Sequence, residues 1–229
     1  MTTALDNPAW SALTTCQAHL SYGGSHVRRY PNDVAQIGAI GANDPVVSDE
    51  IASVVPQGEW LSFPATLDQA AALVPPTLRV TLRGTLVQMV GSTRIAVPEI
   101  DATPELLSEA DADQMLRLAD LARPGPFRTH THTLGTYLGI RIGGRLVAMA
   151  DERMHLPGYR EVSGVSTLPD FRNRGYARLL VAHLSNRIRE EGLTPFLHVE
   201  ESNLRALALY SKLGFVERRR LPLLVVTRA

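Results

Sequence analysis

The stretch Thr167–Leu180, TLPDFRNRGYARLL, constrains this chain more than any other. An extended apolar segment runs into Pro169, Arg172, Arg174 and Gly175 cluster behind it, and an amphipathic run begins at once. The pattern predicts a strand, a tight turn and a helix starting near Tyr176 and ending near Glu191, with Gly192 to stop it. A helix N-terminus presents unpaired N–H groups and a partial positive charge, so it attracts phosphate. Gly175 permits close backbone approach, Ala177 keeps the next turn narrow, and the arginines add charge-assisted contacts. No Gly-Lys-Ser/Thr follows and the chain has no GxGxxG, so neither a Walker A loop nor a dinucleotide fingerprint is present.

Charge narrows the possible partners. Lys+Arg and Asp+Glu are both 23, a formal net charge of zero, which argues against a dedicated nucleic-acid surface. Arg218, Arg219 and Arg220 form a short basic run with Glu217 beside it, read as a solvated strand end rather than a nucleic-acid adaptor. Cys16 is the one cysteine, so intramolecular disulfides and cysteine-based metal clusters are excluded. The start, MTTALDNPAW, lacks a basic segment followed by an apolar one, and no run approaches membrane-spanning length. A soluble cytoplasmic protein that contacts no membrane is expected.

Up to about Gly91 the chain mixes short elements. WSALTTCQAHL, SDEIASVV and LDQAAALV are expected as helices, HVRRY, VAQIGAI, WLSFP and LRVTLRGTLVQMV as strands, with a bulge at Gly84. From Thr93 the order is roughly β-α-β-β-β-α-β-α-β, an α/β layout with a mixed sheet. RIAVPEI is the first strand, and helix starts are expected at Thr103-Pro104 and at Asp111 with Gln114. A hairpin turns at Gly143-Gly144, REVSGVSTL and PFLHVE are strands, and Asn203 opens a helix closed by Gly214.

Arg172-x-x-Gly175-x-Ala177, followed about 30 residues later by Asn203 and then LYSKLGF, resembles the GCN5-related N-acetyltransferase (GNAT) family. EVSGVSTLPDFRNRGYA with TPFLHVEESN is similar in particular to its FR47-like branch, related to the glycine N-acyltransferases. The resemblance covers about Thr93 to Val226. It implies a mixed, mostly antiparallel sheet flanked by helices, with a splayed parallel strand pair. It further implies a catalytic domain over 93–229 and, over 1–91, a degenerate copy of the same fold. Two halves of that kind favour a monomer or a weak homodimer.

The activity so implied is acyl transfer, acetyl by default, from acyl-CoA to a primary amine. Acetyl-CoA is then a co-substrate, with no metal. The acceptor is a small amine, an amino acid or a protein N-terminus. Val165, Ser166 and Thr167 would pair with the pantetheine arm, the amides of Arg172, Asn173, Arg174, Gly175, Tyr176 and Ala177 would meet the pyrophosphate, and Asn203 would cap its helix and touch the arm. The match implies Glu161 as general base, with Glu200 and Glu201 in reserve, and Tyr210 as the acid that protonates the thiolate. His130 and His132 lie two apart with no third metal ligand in a known motif; with Arg128 they are expected near an anionic acceptor. His183 and His198 read as packing residues. The competing reading is a regulatory module that binds acyl-CoA without turnover.

Overall fold

A near-continuous buried run along RLVAMADERMHL, covered on both faces, and burial at alternate positions of YREVSGVST from Val162 onward build the centre of the molecule. The computed structural model describes residues 3–41, 46–64, 73–122 and 125–228. In chain order these form α1 (Pro8–Thr14), β1 (Tyr22–Gly23), β2 (Val27–Arg29), β3 (Gly38–Ile40), α2 (Val47–Val54), β4 (Trp60–Pro64) and β5 (Leu78–Gly91). There follow β6 (Glu105–Leu106), α3 (Ala112–Ala122), β7 (Tyr137–Ile142), β8 (Arg145–Leu156), β9 (Tyr159–Thr167), α4 (Tyr176–Glu190), β10 (Thr194–Glu200), α5 (Leu204–Lys212) and β11 (Phe215–Arg228).

β1, β2 and β3 make a small sheet, and the other eight strands make one large sheet in the order β4-β11-β5-β10-β9-β8-β7-β6. Its pairings are antiparallel except β9 with β10. Strand β5, from the N-terminal stretch, lies between β10 and β11 and pairs with both. Along β10, Leu197 and Val199 join the core formed with α3, α4 and α5, whereas Phe196 packs with α1 and the segment around Tyr30. Residues 1–91 therefore supply two strands of the large sheet and a cover for part of one face.

Several expectations are corrected. RIAVPEI is not a strand: Asn186 of α4 accepts from the Ile95 N–H (2.9 Å) and donates to the Ile95 carbonyl (2.8 Å), replacing a ladder partner with one side chain. Glu105–Leu106 form β6 against β7, so the helix begins after Ser108 rather than at Thr103. Gly84 stands in register opposite Leu223; the irregularity in β5 falls at Thr81 instead. Most of LDQAAALV lies outside the described residues.

Candidate active site

Strands β9 and β10 pair at only three positions, Tyr159–Thr194, Arg160–Pro195 and Glu161–Phe196, and then diverge. A bulge helps part them. β8 counts two residues from Met149 to Asp151 where β9 counts three from Ser163 to Ser166, and Gly164 in between has φ +57°. Among the described residues, the facing edge of β9 past the fork has no strand partner, which is a template for an extended ligand. Val165, Ser166 and Thr167 line the cavity there, and the buried Ser166 hydroxyl has no hydrogen-bond partner among the described residues.

At the C-terminal end of β9 the chain turns through Pro169–Phe171 into α4. Asn173 (φ 66°) and Gly175 (φ 83°) are both left-handed. Alternating hand aims successive N–H groups into one concavity, an anion-binding nest at the positive end of α4. Arg172, Asn173, Gly175, Tyr176 and Ala177 line the cavity. Arg174 does not; its guanidinium stacks on Phe171 at 5.0 Å. Arg178 and Arg205 join the lining instead, and Arg205 also donates to Asn173 (2.5 Å). Asn203 caps α5 by accepting from the Ala206 N–H (3.1 Å) and faces the same space.

The cavity, about 1260 Å³, runs from this nest through the fork to Trp60, Ser62 and Ile37 of the N-terminal stretch. Tyr210 lines it from α5, with its ring edge-on to Phe215 at 6.1 Å. Burial, and then the charge of Asp151, push its phenol up to about 12, so it carries its proton at neutral pH. Glu200 lines the cavity at its exposed end, while Glu201 is paired with Arg220.

Glu161 has a different setting from the one expected of a base. It is fully buried, and Arg153 donates to both of its oxygens (2.9 and 2.7 Å). His198 Nδ1–H donates to Oε1 at 2.7 Å. Burial by itself pushes the carboxyl up, but the Arg153 guanidinium and the His198 hydrogen bond outweigh it and hold the group at about 2. A carboxylate so engaged is a poor proton acceptor at neutral pH and a good anchor for Arg153 and His198, which line the cavity.

His198 thus lies at the site, not merely in packing. Gln88 Nε2 donates to the Leu5 carbonyl (3.0 Å) and lies 3.2 Å from His198 Nε2, while its Oε1 accepts from Arg218 (3.0 Å). Those partners fix the amide, so its N–H is turned to His198 Nε2 while His198 Nδ1 faces Glu161. Arg128, His130 and His132 stand away from the cavity lining. Arg128 pairs with Glu59 (2.6 Å), His130 with Asp33 (2.9 Å), and the exposed His132 with the Thr129 carbonyl (3.1 Å). Their segment is a short 3-10 turn, not a strand. The basic run is likewise taken up, Arg218 and Arg219 by Asp6 and Arg220 by Glu217 and Glu201.

A parallel strand pair forked beside a left-handed turn at a helix N-terminus defines the class of fold. Residues 137–221 match the family model described as FR47-like protein. The whole chain superimposes on the crystal structure of a GNAT-family protein from Novosphingobium aromaticivorans, with 33% identity, 100% of both chains covered and a TM-score of 0.86. The chain belongs to the GCN5-related N-acetyltransferase family and resembles its FR47-like members. Among curated proteins it is 46% identical over 50 residues to the [ribosomal protein bS18]-alanine N-acetyltransferase of Salmonella typhimurium, covering 21% of this chain. It is 29% identical over 119 residues to the N-alpha-acetyltransferase MAK3 of Arabidopsis thaliana, covering 47% of this chain. These matches span 34% and 62% of the two relatives, less than two thirds of either.

Proposed function

We propose that the chain transfers an acetyl group from acetyl-CoA to a primary amine by direct attack within a ternary complex. The observation that carries this reading is the nest at the start of α4 placed beside the β9–β10 fork. The nest suits a pyrophosphate, with Arg172, Arg178 and Arg205 around it. The free edge of β9 and the unpartnered Ser166 hydroxyl suit the amide-bearing arm. The names of the two curated relatives, one acting on a ribosomal protein's alanine and one on α-amino groups, are consistent with an amine acceptor. Trp60, Ser62 and Ile37, which line the far end of the cavity, support an acceptor site walled by residues 1–91.

In this reading a backbone N–H near Val165 polarises the thioester carbonyl, stabilising charge that grows in the tetrahedral intermediate. The acceptor arrives mostly as ammonium, with a pKa of roughly 10, and must lose a proton before it attacks. Tyr210, protonated at neutral pH, donates to the departing thiolate. Glu161 holds Arg153 and His198 in place at the acceptor side.

Thermal unfolding with acetyl-CoA, free CoA and ATP tests the reading, on wild type and on Gly175→Asp. Ligand at 100 times its dissociation constant stabilises by about 2.7 kcal/mol, or roughly 5–10 °C for a chain of this size. Both CoA species should shift wild type and neither should shift the variant, whose left-handed position and nest reject a carboxylate. Thiol release with a panel of amines then separates turnover from simple binding. Binding with no release on any amine would point to the regulatory module.

A further inference from the structure

Asp151 is a buried carboxyl that neither the nest nor the expected acid–base pair uses. It sits on β8, across from Tyr137 on β7 and Ser163 on β9, and is 2% exposed. One of its oxygens lies 1.7 Å from where a Cβ at position 164 would stand. Gly164 lines the cavity, so the carboxyl packs directly behind a wall residue that has no side chain.

The groups facing it leave it without a counter-ion of its own. Arg153 on β8 is committed to Glu161 of β9 through two hydrogen bonds, and Glu152 and Glu161 add negative charge. Tyr137 on β7 gives its hydroxyl proton to the Thr131 carbonyl (2.8 Å), and its own hydrogen bond to Asp151 lowers the carboxyl by less than burial raises it. Burial above all, opposed by Arg153 and reinforced by Glu161, pushes the group up to about 7. Tyr210 of α5 lines the same cavity as Gly164, and the charge of Asp151 helps push its phenol up. The alternatives are less suited: Glu161 is held well below neutrality and the His198 Nε2 lone pair is occupied by Gln88.

We propose that Asp151 is the proton store of the transfer reaction, taking the proton that the acceptor ammonium gives up, by way of water in the cavity beside Gly164, and handing one on to Tyr210 after that phenol has protonated the thiolate. The inference rests on the acetyl-transfer reading. The balance closes. The nitrogen loses two protons, its lone pair forms the C–N bond, and the C–S electron pair leaves with sulfur. One proton ends on CoA through Tyr210 and one goes to solvent. Asp151 acts through water and through Tyr210, without touching the substrate.

The test is kcat and KM against pH from 5.5 to 9.5 for wild type, Asp151→Asn and Glu200→Gln, with the amine that gives the fastest thiol release. Wild-type kcat should rise with pH and level off above about 7. Asp151→Asn should lose that limb, with kcat down about 100-fold, the general acid–base range, and KM for acetyl-CoA within about twofold. An Asn variant that keeps the limb and its kcat overturns the proposal, as does loss of the limb in Glu200→Gln instead. Wild type that binds acetyl-CoA but acetylates no amine overturns the transfer reading and this one with it. Should the Asn variant not fold, 13C-carboxyl titration of aspartate-labelled wild type decides. One aspartate must titrate near neutrality and move its midpoint on adding acetyl-CoA, and titration of every aspartate near 4 overturns the proposal.

Discussion

Gly164 and Asp151 form a pair in which each explains the other. The carboxyl occupies the space of a missing Cβ, and the glycine supplies a left-handed φ at the bulge. Gly164→Ala should cost about 1–2 kcal/mol for the left-handed backbone alone and more for the overlap with Asp151, read from the urea unfolding midpoint. Asp151 also carries a stability signature. Its native value of about 7 lies above the unfolded value near 3.9, so the native state holds the extra proton between them. Stability from this group is present below pH 4 and lost as pH rises through 7, of the order of 4 kcal/mol by pH 8. Asp151→Asn should therefore melt above wild type at pH 8, with the gap closing as pH falls toward 4. Scanning calorimetry at both ends checks the sign, and a variant that gains stability while losing turnover is the trade expected of a functional buried charge.

At the level of elements, α4 and its turn were legible because the signals are local. The Asn173 and Gly175 backbone, the amphipathic spacing of Leu179, Leu180, Leu184 and Ile188, and the Gly192 stop all lie within one stretch of chain. The hairpin at Gly143-Gly144 and the Asn203 cap were readable for the same reason. RIAVPEI misled because its alternation is strand-like while its partner, Asn186, lies 91 residues away on a helix. Glu105–Leu106 misled in the opposite sense: a good helix start was overridden by pairing with β7. The FRTHTHTLGTY segment alternates too, yet folds as a turn held by Asp33 and the Val34 carbonyl.

Across the whole molecule, β5 has a consequence for how the chain can be divided. It pairs with β10 over five positions and with β11 along most of its length, so the strands after residue 93 close only around a strand from before it. Arg218 adds a clasp, donating to Leu5, Thr3, Asp6 and Gln88. A fragment comprising 93–229 should show no cooperative unfolding transition in calorimetry, whereas co-expression with 1–91 should restore one. A cooperative, CoA-binding fragment would show that β11 can close on β10 unaided. What the sequence by itself determined is the glycine-bearing turn after β9, the helix it opens, the capped helix downstream and the family they mark, since each depends on neighbours a few residues apart. Only the tertiary structure decided that Glu161 is locked to Arg153 and His198, that Asp151 lies behind Gly164, and that residues 1–91 line the far end of the cavity. Those depend on strand register and burial, and a carboxylate's chemistry is set by the charges and water around it, which no local spacing encodes.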